Sequence, residues 1–267
     1  MPDVLYEVND QIAFIQLNRP ARGNAWTWDM DDELERAFAN ANEAANVKVI
    51  VLSGSGEKFS LGMDLGNLEE LISAGNLASA LEGRLRVKCD PSASPKPVIA
   101  ALNGSAAGVG LALALMCDIR VASNSAKFSF SYVRRGLVAE QAESWFLQRI
   151  VGLGPATDLL LTGRVFDAAE ALRIGLISRT VDPNQVLEVA TTIAREIADC
   201  NSPVAMRAVK QQLANERCRR LSDARDHAEV LVRHSLESDD VREGVMSFIE
   251  SRPPRFPPLT EEPGNDG

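Results

Sequence analysis

Histidine is scarce in this chain of 267 residues: there are two, His227 and His234, and neither has an acidic or cysteine partner at ligand spacing. A metal site is therefore not expected. The four cysteines, Cys89, Cys117, Cys200 and Cys218, lie far apart and form no CxxC pair. They read as reduced thiols of a cytosolic protein, not as a disulfide framework. Long apolar runs are missing as well, since none approaches the roughly twenty residues that span a bilayer. The first residues also lack a basic segment followed by an apolar stretch. Membrane insertion and secretion are disfavoured, and a cytoplasmic location is expected. Nor is there an excess of basic residues: 28 Lys and Arg stand against 37 Asp and Glu, for a net charge of -9. A chain so charged is not expected to bind nucleic acid broadly, because that needs a basic face to displace counterions. No Walker loop, dinucleotide fingerprint or nucleophile elbow occurs.

What is present is an apolar fraction of 45%, enough for one large core. Residues 5–8 and 12–17 are β-prone runs parted by Asn9 and Asp10, a hairpin signal. Residues 29–45 place Met30, Leu34, Ala37, Phe38 and Ala41 on one helical stripe, and a buried strand is expected over 47–52. Helical spacing follows over 66–88, a breaker-rich stretch over 91–97, strands over 98–102 and 119–122, and an apolar helix over 111–116. This alternation implies an α/β core with parallel strands and right-handed crossovers. After about residue 152 the only strand signal is 176–181, and helices are expected over 155–161, 168–173, 183–199, 203–215, 222–237 and 239–251. The organisation expected is a core over 1–200, a helical part over 201–257 and a poorly ordered tail over 258–267.

Two glycine-containing turns, KFSLGMDL at 58–65 and NGSAAGVGL at 103–111, each lie between a buried strand and a helix. A helix start leaves about four N–H groups without intrahelical partners, and its dipole favours negative charge, so such a turn can stabilise an oxyanion. Either turn alone reads more readily as simple turn-making.

Together with NRP at 18–20, Asn24-Ala25, PVIAALNG at 97–104, CDIR at 117–120, LTGRVFDAAEALRIGL at 161–176 and SFIE at 247–250, these turns resemble the enoyl-CoA hydratase/isomerase (crotonase) superfamily. The resemblance runs from Ile12 to about Phe256. It implies a spiral of ββα turns with a helical C-terminal part that drives trimer formation, often with trimers paired into hexamers. It also implies a coenzyme A thioester as substrate, with no tightly bound cofactor. The oxyanion amides of that family fall on Met63, after Gly62, and on Val109, between Gly108 and Gly110. Val109 departs from the glycine common there, and a β-branched residue resists a positive φ unless its torsions are already helical.

The two glutamates of the hydratases fall on Ala112 and Tyr132, neither of which is a carboxylate base. Water addition is thereby disfavoured, since general acid–base groups contribute roughly two to four orders of magnitude. Glu140 resembles the single glutamate of 3-enoyl to 2-enoyl-CoA isomerases. Without the resemblance it reads as an acidic residue of a first helical turn. Leu137, Val138 and Ala139 are expected to wall it and raise its pKa. Glu143 is expected to face solvent or a subunit contact.

For the acyl-CoA itself the candidates are Arg22, Asn24, Ala25, Gly62, Asp64, Leu65, Gly108, Tyr132 and Phe256. Arg22, with Arg255 and Phe256, offers charge and an aromatic face to phosphates and adenine, although a solvated surface arginine is an equal reading. By the resemblance, the C-terminal contribution comes from a neighbouring subunit. Tyr132 reads first as pocket wall and then as hydrogen-bond donor. Trp26, Trp28 and Trp145 read as core.

Overall fold

A computed structural model describes residues 1–64, 66, 69, 75, 87–216 and 219–259. The expected helix over 66–88, together with Leu65, Arg217, Cys218 and most of the tail, falls largely or wholly outside the described residues.

Strands β1 (Val4–Asn9) and β2 (Ile12–Leu17) form the expected hairpin, turning at Asp10 with a positive φ. Helix α1 (Trp28–Glu43) begins where the Thr27 hydroxyl accepts the Met30 N–H, and it buries the stripe Met30, Leu34, Ala37, Phe38 and Ala41. Next come β3 (Val49–Gly54), β4 (Lys58–Ser60), β5 (Val98–Leu102), β6 (Ser105–Ala107), α2 (Val109–Met116), β7 (Ile119–Ser123) and β8 (Lys127–Ser129). Then follow α3 (Glu143–Val151), α4 (Leu153–Thr162), β9 (Val165–Asp167), α5 (Ala168–Arg173), β10 (Arg179–Val181) and α6 (Val186–Cys200). The chain closes with α7 (Pro203–Asn215), α8 (Leu221–Leu236) and α9 (Asp239–Ile249).

Six strands form one sheet in the order β1-β2-β3-β5-β7-β10, and a second sheet runs β4-β6-β8-β9. Apart from the antiparallel β1–β2 and β8–β9 pairs, neighbours are parallel. Each long strand β3, β5 and β7 hands over to a short one, β4, β6 and β8, so the chain climbs as a spiral of paired strands. The short strands were not foreseen: each has three residues, too few for a period-two pattern to register. Of the strand expected over 176–181 only Arg179–Val181 pairs, while Leu176 and Ile177 enter the core as loop.

Side chains alternate across the large sheet. Val49, Val51, Ile99, Ala101 and Val121 face α6, through Val186, Ala190 and Ala194. Ile50, Leu52, Val98, Ala100 and Ala122 face the main core with α1 and α2. By contrast α8 buries none of its residues, and α7 buries only Pro203. Among the described residues no helix is long and apolar enough to cross a membrane.

Candidate active site

The turns after β4 and β6 meet. Gly62 has φ +89, and a Cβ there would stand 2.9 Å from the Ala107 carbonyl oxygen and 3.6 Å from the Gly108 Cα. Gly108 has φ +49, and a Cβ there would stand 3.9 Å from the Gly62 Cα. Two backbones approach this closely only where neither carries a side chain. The next residue of each, Met63 and Val109, therefore flanks one notch.

The N–H groups of both are turned away from the protein's own ladders. Met63 pairs with Trp26 in a parallel bridge in which Trp26 N donates to Gly62 O (2.7 Å) and Asp64 N donates to Trp26 O (3.0 Å). That pattern uses the peptides on either side of Met63 and points its own N–H the other way. Val109 is the first residue of α2, where no intrahelical acceptor exists, and the helix's first internal bonds run from Leu111 and Ala112 to Gly108 O. The strain expected of a β-branched residue does not arise, because Gly108 takes the positive φ and Val109 is helical.

The loops are held from beneath by amides that the motifs contain. Asn24 is fully buried with φ 52, accepts the Arg19 N–H (2.8 Å), and donates to the carbonyls of Ser55 (2.9 Å) and Lys58 (2.8 Å). Asn103 accepts from Gly54 N (3.0 Å) and donates to Gly56 O (2.8 Å). The Asn24 side chain is thus taken up inside the protein, and its role is to hold the loop. Arg19 was not singled out from the sequence, yet its guanidinium donates to Ala25 O (2.6 Å) and to the Asp64 carboxylate (3.0 Å). Burial draws the Asp64 carboxyl upward, but hydrogen bonds from Arg19 and Gly66, with the charges of Arg19 and Arg22, outweigh it and hold the group below the ordinary range. Arg22 is exposed at the rim, beside Asp64.

Phe256 is not brought to this notch by its own chain. Its carbonyl faces the Lys48 ammonium (3.5 Å), and its ring lies against Gly244 of α9. Lys48 precedes β3, whereas Asn24 and the notch lie past the strand's other end, about 20 Å away for a strand of this length. The Arg255 N–H is bound by Glu243 in the same chain (2.7 Å).

The acidic segment differs from expectation. Glu140 precedes α3 and is partly buried, and burial raises its carboxyl above the usual range. Leu137 and Val138 do not wall it: both are exposed, Val138 at 78%. Glu143 does not face solvent. It is 0% exposed, its Oε1 accepts the Tyr132 hydroxyl (3.0 Å), and its Oε2 has no hydrogen-bond partner among the described residues. What turns it inward is backbone torsion, since Gln141 (φ 48) and Ala142 (φ 57) are successive left-handed residues. Burial pushes the Glu143 carboxyl well up, and the nearby Glu140 charge adds to this against the opposing bond from Tyr132. Burial likewise raises the Tyr132 phenol, helped by both carboxylates. A cavity of about 450 Å³ adjoins the segment and is bordered by Val87, Cys89, Met116, Ala142 and Phe146. Trp26 is wholly buried, as expected of core, although its indole N–H has no partner among the described residues.

A family model described as enoyl-CoA hydratase/isomerase matches residues 7–258. Enoyl-CoA hydratase ACTT3 of Alternaria alternata is 36% identical over 264 residues, covering 97% of this chain and 87% of that protein. The short-chain-enoyl-CoA hydratase of Clostridium acetobutylicum is 31% identical, covering 94% and 95%. Among solved structures, an enoyl-CoA hydratase from Bacillus anthracis superposes with TM-score 0.84 at 30% identity, covering 96% of this chain and 99% of that one. The enoyl-CoA hydratase EchA1 from Mycobacterium marinum superposes with TM-score 0.86 at 31% identity, again covering 96% and 99%.

Proposed function

The chain belongs to the enoyl-CoA hydratase/isomerase family, and from that premise we propose that it isomerises 3-enoyl-CoA to 2-enoyl-CoA, with Glu140 as the only base. The Met63 and Val109 N–H groups hold the thioester oxygen. Glu140 removes a proton from C2, the electron pair spreads onto that oxygen as an enolate, and the same carboxyl returns the proton at C4. No metal or redox cofactor enters this scheme. The observation that carries it is the contact of Gly62 with Gly108, which leaves two peptide N–H groups, unused by ladders among the described residues, flanking one notch. In this reading the far end of the acyl chain lies in the cavity beside Gln141 and Ala142, whose lining includes Val87, Met116 and Phe146. Arg22, Ala25 and Asp64 border the coenzyme A, and Phe256 reaches it from a neighbouring copy.

Residues 201–257 serve in this reading as the part through which copies assemble into trimers or hexamers. Its support is the exposed apolar surface on α8 and α9, including Phe248 at 86% exposure.

Glu140→Gln is expected to lower kcat on a 3-enoyl-CoA by two to four orders of magnitude, and activity near wild type would remove Glu140 from the mechanism. Because burial raises its pKa and the base must be ionised, activity is expected to fall on acidification at a higher pH than an unperturbed carboxylate would give. The relatives named as hydratases favour a second reading, in which Glu140 activates water. Crotonyl-CoA run in parallel separates the two, by hydration or by its absence. Free thiol release in the same assays would mark a thioesterase. Tight binding without turnover would mark a non-catalytic acyl-CoA-binding homologue.

A further inference from the structure

The Tyr132–Glu143 pair is not used by that mechanism. A buried carboxylate holding a single hydrogen bond is costly, and the cost is relieved when the acid keeps its proton. Glu143 is in this position: it is wholly enclosed, one oxygen meets Tyr132, the other is unpartnered among the described residues, and Glu140 stands nearby as a like charge. A protonated carboxyl gains one O–H to donate. With that proton on Oε1 the bond to Tyr132 reverses, the acid donating to the phenol oxygen and leaving the phenol's own O–H free to point elsewhere. The hydroxyl has the notch beside it, since a Cβ at Gly108 would lie 3.7 Å from the Tyr132 Oη.

Resting on the acyl-CoA reading above, we propose that Glu143 is a positioning residue: a buried neutral acid that donates to Tyr132 and so turns the phenol O–H toward the thioester oxygen as a third donor beside the Met63 and Val109 amides. Tyr132 then touches the reacting group, and Glu143 acts only through it. No proton leaves either residue during turnover. Burial keeps the phenol protonated, as a donor must be.

The test uses the full chain carrying Tyr132→Phe, Glu143→Leu, Glu143→Gln and the double variant Tyr132→Phe with Glu143→Leu. Each is checked for folding by its thermal unfolding. Two readouts are taken: kcat and KM on a 3-enoyl-CoA, and the infrared stretch of bound butyryl-CoA labelled with ¹³C at its thioester carbonyl. Tyr132→Phe and Glu143→Leu are each expected to lower kcat about 10- to 100-fold with KM little changed, and to lose part of the red shift of the carbonyl band. Glu143→Gln, whose amide N–H can also donate to the phenol oxygen, is expected to restore most of both. The double variant is expected to be no worse than Tyr132→Phe, because Glu143 has nothing left to position.

Additive losses, a Glu143→Gln protein as impaired as Glu143→Leu, or a carbonyl band equally shifted in every folded variant overturns the proposal while leaving the acyl-CoA reading intact. A wild type that turns over no 3-enoyl-CoA yet shows the infrared pattern removes the isomerase reading and keeps the pair. A wild type that does not bind butyryl-CoA overturns both.

Discussion

Four residues, Glu140 to Glu143, decide the orientation of the acidic segment. A left-handed conformation costs an L residue with a side chain roughly 1–2 kcal/mol, and Gln141 and Ala142 adopt it in succession. That torsion sends Glu143 inward while Glu140 stays partly buried ahead of α3. Ala142 is exposed and makes no side-chain bond that glycine would lose. Ala142→Gly is therefore expected to raise unfolding free energy by about 0.5–1 kcal/mol, the relieved strain being partly offset by the added freedom of the unfolded chain. A urea midpoint that moves down instead would show that the left-handed turn is not kept in solution.

Among the elements, α1 carries a comparable tension at its first turn. Asp31 is buried there, and burial raises its carboxyl to about 6 against the opposing bond and charge of Lys88. Its oxygens accept the Lys88 N–H at 3.1 and 3.2 Å, fastening Lys88 to the first turn of α1. An acid with a raised folded-state pKa binds its proton more tightly in the native protein than in the unfolded chain. Its contribution is thus fully present below the unfolded value near 4 and declines as pH rises to about 6 and beyond. Asp31→Asn keeps an acceptor for Lys88 but has no charge to desolvate. It is expected to gain about 1 kcal/mol over wild type at pH 7.5, and to show little gain at pH 4. Thermal unfolding at the two pH values measures this, and an equal effect at both would dismiss titration of Asp31 as the cause.

At the scale of the whole molecule, the exposed apolar surface is unevenly spread. The sheets and α6 bury most of their apolar side chains, whereas α8 and α9 expose Val232, Leu236, Val245, Phe248 and Ile249. Such a surface is what a protein–protein contact covers. In the proposed assembly Phe248→Glu is expected to shift the protein from trimer or hexamer to monomer, as read by sedimentation velocity. It would also raise KM for acyl-CoA, since Phe256 is then lost from the neighbour's site. A wild-type chain already monomeric at micromolar concentration would rule out this assembly.

Much of this molecule was legible before folding was considered. The hairpin, the α1 stripe and the longer strands of the large sheet, β1, β2, β3, β5 and β7, follow from the sequence pattern, because elements of five residues or more present a repeated face to the core. Gly62 and Gly108 announce themselves as turn residues for the same local reason. The second sheet was hidden, since strands of three residues owe their conformation to partners distant in sequence. So were the pairing of Arg19 with Asp64, the enclosure of Asn24 and the inward turn of Glu143. Spacing can place a carboxylate on a segment, but which way it points depends on backbone torsions and on the neighbours that exclude water from it. Only tertiary structure sets those.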